Sequence, residues 1–127
     1  MKKNVLLIVL LFIIHLSIKA QGNLEYNRVV LVTLSGLYYQ PVDTIFTIPT
    51  GKVWKIESAM AGNIEYPGFT HMLYLNGKMF FASNSSYGGI FPIWLPAGTY
   101  TLSAICAQGA SNYTNGSISA IEYNEVP

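Results

Sequence analysis

Lys52-Val53-Trp54-Lys55-Ile56-Glu57-Ser58-Ala59-Met60 alternates apolar and polar side chains. Trp54, Ile56 and Met60 fall on one side and Lys55 and Glu57 on the other, the period-two pattern of a strand with one buried face. Just before it, Pro49-Thr50-Gly51 supplies a preset φ and then a position free to turn left-handed. That chemistry predicts a three-residue hairpin loop with a bulge at the glycine. Leu95-Pro96-Ala97-Gly98 repeats the turn 47 residues later. It precedes a second alternating run in which Tyr100, Leu102, Ala104 and Cys106 oppose Thr99, Thr101 and Ser103. Between the two, Leu75-Asn76-Gly77-Lys78 carries Asn-Gly, the strongest two-residue hairpin signal. Three hairpins are expected: 43–48 with 52–60, 71–75 with 78–83, and 90–95 with 99–107.

Outward from these, residues 24–35 alternate with Leu24, Tyr26, Val30, Val32 and Leu34 on the even face, which Arg28 alone interrupts. A last strand is expected over 117–126. The total of about eight short strands, with no amphipathic helix after residue 21, predicts a single all-β domain. Its expected form is an antiparallel β-sandwich, jelly-roll-like in its connections. Pro92 cannot donate to a ladder, so its strand belongs at an edge or carries a bulge. The 47-residue offset of the two Pro-x-Gly turns hints at a duplication. However, the apolar phase slips between the copies, setting Trp54 over Thr101, so the repeat is read as one turn chemistry used twice.

The N-terminus has the plan of a signal peptide: basic Lys2-Lys3, the apolar run Val5–Ile14, and Ala20 before Gln21. Residues 1–20 are expected to be removed, leaving a domain over 21–127 that is secreted or extracytoplasmic, in the periplasm or outside the cell. The run is short of the ~20 residues a membrane-spanning helix needs, so no transmembrane segment is expected in the mature chain. Cys106 is too far from the cut for a lipid anchor, and a lone cysteine makes no internal disulfide; it reads as a small hydrophobe on a strand. The mature chain keeps four basic residues against six acids, a net charge of −2 with His71 neutral. That excludes the basic stripe nucleic acid requires.

Catalytic signals are sparse. His71 is the one histidine after the leader, and it reads more simply as structural than as a base. A zinc site needs three or four close Cys or His ligands, and the mature chain has two such residues. No Gly-x-Ser-x-Gly elbow occurs, and the glycine-rich Ser86-Tyr87-Gly88-Gly89 lacks the lysine of a phosphate loop. Glu57 and Glu122 are the acids best placed for a hydrolase pair, each inside an apolar strand where burial raises a pKa. The expectation is a non-enzyme without cofactor or metal, with a small hydrolase as a remote alternative. Glycan recognition is a nearer one: Tyr66, Tyr87 and Tyr113 sit in polar loops beside Asn84 and Asn112, offering rings for stacking and amides for hydroxyls.

The middle hairpin is unusual because it is apolar on both faces. With Asn76-Gly77 as its turn, Leu73, Leu75 and Phe80 share one side, and Met72, Tyr74, Met79 and Phe81 share the other. A one-sided sheet should alternate. Ile90, Phe91, Ile93, Trp94 and Leu95 form a second two-sided apolar strand. Met72, Tyr74, Met79 and Phe81 are therefore the expected association surface.

The segment Phe46–Ser58, with Pro92–Thr99 and Ile118–Asn124, resembles stretches of small secreted bacterial β-sandwich proteins of unassigned function. The resemblance implies export and a jelly-roll-like sandwich, and it brings no catalytic residues. The functional expectation is a secreted module acting through its surface. It would serve as an oligomer subunit or as a binding or adhesion domain for another extracellular protein.

Overall fold

The computed structural model describes residues 23–35, 42–62, 68–83, 89–107 and 114–126. The expected signal peptide lies outside them. Eight strands form: β1 (Asn23–Ser35), β2 (Val42–Ile48), β3 (Lys52–Gly62), β4 (His71–Leu75), β5 (Lys78–Ala82), β6 (Ile93–Leu95), β7 (Gly98–Cys106) and β8 (Asn115–Val126). They assemble into two antiparallel sheets of four, ordered β1-β8-β3-β6 and β2-β7-β4-β5. Leu34, Ile56 and Ile118 of the first sheet meet Leu73 and Leu102 of the second in one core. Burying each such side chain contributes about 1.5–3 kcal/mol. This two-layer all-β arrangement is the one that alternation predicts.

Of the three expected hairpins, only the middle one forms. β4 and β5 pair through Asn76-Gly77, whose φ values of 48° and 76° are the two positive values that an Asn-Gly turn requires. Asn76 also extends the β4–β7 ladder. Its N–H donates to the Thr101 carbonyl at 2.9 Å, and its side-chain Oδ1 accepts from the Thr101 N–H at 2.8 Å.

The Pro-x-Gly turns do something else. β2 pairs with β7, whereas β3 pairs with β6 and β8, so each loop carries the chain from one sheet to the other. The first turn is as expected, with Gly51 at φ +76° and the Lys52 N–H donating to the Pro49 carbonyl at 3.1 Å. The second is not, because Gly98 stands at φ +157° as the first residue of β7. What separates the flanking strands is burial between the layers. Phe46 of β2 stacks on Trp54 of β3 across the core, centroids 5.2 Å apart and planes 3° from parallel. Phe46 also stacks on Tyr100 of β7 at 5.5 Å. The two crossing loops lie side by side, with Ile48 opposite Gly98 in one sheet and Trp54 opposite Leu95 in the other.

Alternation assigns faces correctly until a bulge inserts one residue, after which the phase inverts. Three bulges occur. The register steps from Tyr26↔Tyr123 to Arg28↔Glu122, from Ile56↔Ala120 to Ser58↔Ser119, and from Leu73↔Phe81 to Tyr74↔Met79. Asn27, Glu57 and Phe80 are the extra residues. Accordingly Met60, expected beside Trp54 and Ile56, is 69% exposed, and Ala59 and Ala61 turn inward instead. Leu24 and Tyr26 leave the face of Val30, Val32 and Leu34 and are exposed. β6 is an edge strand, as Pro92 suggested, but it is shorter than expected because it begins after the proline.

Gly116 lies between Leu34 and Ala61 on neighbouring strands. A Cβ there would sit 2.7 Å from Leu73 Cδ2 and 3.3 Å from Leu34 Cδ1. Gly116→Ala should therefore cost about 1–3 kcal/mol by overpacking, read as a lower urea midpoint. Gly62→Ala, whose Cβ would meet nothing within 4 Å, should stay within about 0.5 kcal/mol of the parent.

Candidate functional site

β5 and β6 are the outermost strands of their sheets. An apolar groove of about 480 Å³ runs between them, and Gly89, Ile90 and Pro92, which lead into β6, form part of its wall. Phe80, Phe81 and Ile93 also line it, and Phe80 meets Phe91 edge-on at 6.4 Å. The rim is exposed: Ile90 by 84%, Trp94 by 47% and Met79 by 45%. Gly89 permits the close approach, since a Cβ there would lie 2.4 Å from the Phe91 ring and 3.0 Å from the Phe80 carbonyl. Beside Trp94 the rim turns polar. Lys55 Nζ sits 5.7 Å from the Trp94 ring centroid and 2.6 Å from Glu57 Oε1. The hydrogen bond that the Lys55 ammonium donates to the Glu57 carboxylate holds its pKa above the usual lysine range.

The groove unites two stretches that the sequence marks separately, the two-sided hairpin and the apolar run 90–95. It takes only part of the expected association surface. Met79 and Phe81 line it. Met72 and Tyr74 are half-buried on β4, which lies inside the sheet, where the Tyr74 hydroxyl donates to Met72 Sδ at 3.7 Å. Phe81 is not on their face. The bulge at Phe80 sets it opposite Leu73, and it packs against the core. The glycan alternative rests on Tyr66, Asn84, Tyr87, Asn112 and Tyr113, all outside the described residues.

The two acids singled out by sequence part company. Glu57 is exposed and paired with Lys55, whereas Glu122 is buried at 1% exposure. Glu122 Oε1 accepts from Asn27 Nδ2 at 2.6 Å and from Arg28 Nε at 3.0 Å, and Oε2 accepts from Trp54 Nε1 at 2.8 Å. Burial pushes this carboxyl's pKa up. The donors from Trp54, Asn27 and Arg28, together with the Arg28 charge, outweigh that and hold it below the usual carboxylate range. Arg28, the interruption in β1's apolar face, is thus the partner of a buried acid.

His71 is also buried, with Nδ1 3.3 Å from Thr114 Oγ1 and its backbone N–H donating to Ser83 Oγ at 2.9 Å. Cys106, half-buried, stands opposite it on β7. Among the described residues, no three of His, Cys, Asp and Glu gather where they could hold a metal ion. A second hollow, of about 620 Å³, lies at the end of β1, β3 and β8. Leu31 and Met60 are its exposed walls, and Asn115 and Ser117 also line it. No protein-family model matches this chain, and no curated protein matches it either.

The acid network makes a pH-dependent contribution. Glu122's folded pKa lies below the ordinary value of 4.5, so its stabilisation is complete above that value and is lost as pH falls through the folded one. Glu122→Gln should lower stability near neutrality by about 1.5–3 kcal/mol. In urea titrations from pH ~7 to pH ~3, the gap from the parent should narrow with acid, because the variant has no carboxylate there to protonate.

Proposed function

We propose that the chain is an exported, non-catalytic β-sandwich module with jelly-roll connections, acting by binding protein partners through its surface. The strand orders β1-β8-β3-β6 and β2-β7-β4-β5 support the jelly-roll reading: the crossing loops alternate between sheets as they do in two interlocked Greek keys. The plan of residues 1–20 supports export.

One observation carries the binding reading. Ile90, Trp94 and Met79 stand exposed around a single apolar groove formed by two strand edges. A groove of this size accepts one or two large apolar side chains from an extended partner segment. The Lys55–Glu57 pair at the rim offers polar contacts beside it. Apolar centre and polar rim together are the anatomy of a protein-binding hot spot.

Displayed libraries of short extended peptides, panned on the immobilised protein, should select sequences with large apolar residues. Selected peptides should lose about tenfold or more in affinity for Ile90→Asp, a change costing ~1.4 kcal/mol or more of binding. Ile90 is almost fully exposed, so the fold should be untouched. Failure to select any sequence, or equal binding by the variant, would overturn the reading.

A further inference from the structure

We infer that two copies of this chain associate through β1, pairing antiparallel so that one continuous eight-stranded sheet runs through both. The inference concerns a different edge from the β5/β6 groove, so either can fail alone. β1 ends its sheet, and among the described residues its outer edge faces no strand. That leaves a row of backbone N–H and C=O groups open to an extended partner. Exposed edges are normally protected by lysine, proline or a short strand. β1 runs for 13 residues, and its stretch Val29–Ser35 has no charge, proline or glycine.

Burial shows that this strand is under-covered on both faces. On the outer face, Val29 is 64% and Leu31 65% exposed. On the core side, Val30 and Val32 are only partly buried, whereas Ile118 and Ala120, their partners on β8, are almost completely so. Val29-Val30-Leu31-Val32 is an unbroken apolar run, the pattern of an interior strand covered on both sides. It nevertheless stands at an edge.

A second copy fits this edge. Antiparallel pairing of a strand with itself is two-fold symmetric, so each copy satisfies the other with the same groups. Centred on Val32, it sets Val30 against Leu34 and Leu31 against Thr33, keeping core-side residues with core-side and outer with outer. Arg28 and Glu25 fall beyond the uncharged stretch, so no like charges oppose within it. The paired stretch is ~24 Å long. With two layers ~10 Å apart and side chains outside them, the edge is ~20 Å deep. It presents ~500 Å² per copy, so the pair buries ~1,000 Å², about the least a specific interface requires.

Light scattering on the purified protein between ~1 and ~100 µM should give twice the monomer mass at the upper end. Val29→Lys/Leu31→Lys, at two exposed positions, should be monomeric with an unchanged far-UV spectrum. Thr33→Lys, at an exposed polar position, should weaken the dimer likewise should the double variant be unstable. Ile90→Asp should leave the dimer intact. By hydrogen exchange, amides within 29–35 should be protected at least ~10-fold more in the dimer than in the monomeric variant. A parent protein that stays monomeric throughout would overturn the inference. So would a dimer that survives the lysines, dissociates on Ile90→Asp, or leaves the 29–35 amides unprotected.

Discussion

The buried Glu122 carboxylate is the constraint on which the first sheet's arrangement depends. An isolated charge at that depth would be strongly disfavoured, so the surrounding strands must deliver donors to it. They do so from both sides of β8. β3 supplies the Trp54 indole N–H, and β1 supplies both Asn27 and Arg28. Consecutive residues on a regular strand point to opposite faces. The bulge at Asn27 suspends that rule, letting two neighbouring side chains reach the same oxygen. The bulge is thus tied to the acid. Trp54 then passes the constraint between layers, because its ring stacks on Phe46, which stacks on Tyr100.

Around this centre the molecule's edges differ in kind. On one side, β5 and β6 splay around a groove whose walls are aromatic and whose rim is exposed. On the other, β1 lies over the shorter β2 and presents a long apolar edge. The interior strands bury Ile56, Leu73, Leu102 and Ile118 between the layers, and their outward positions include Ser and Thr but also Met60 and the half-buried Met72 and Tyr74. Most of the large apolar side chains that stand exposed belong to strands with only one neighbour, Met60 of β3 and Val126 of β8 being exceptions. That is why the proposed interactions concern the rims of the sheets more than their faces.

Much of this architecture can be read from residue order. The eight strands, the left-handed position at Gly51 and the Asn-Gly hairpin all follow from period-two alternation and turn chemistry, which act over a few residues and need no distant partner. Pro92 likewise announces an edge. The two-sided apolar character of 71–83 and 90–95 flags the region of the groove. What it leaves open is that these stretches face each other, since nothing local states which sheet edge meets which.

The remaining features arise from contacts distant in sequence. The loop 49–51 has hairpin chemistry, yet it crosses between sheets, and Phe46 and Trp54 on either side of it stack between the layers. Met60, Phe81 and Tyr26 change sides because bulges at Glu57, Phe80 and Asn27 shift the phase, and alternation carries no mark of an inserted residue. By residue order Glu122 reads as one half of an acid pair; in the fold its partners are Arg28, Asn27 and Trp54, the nearest of them 68 positions away. Local sequence thus determined which segments extend and where they turn. Pairing, layer and facing were decided only by the packed whole, because burial rewards side chains for their neighbours in space.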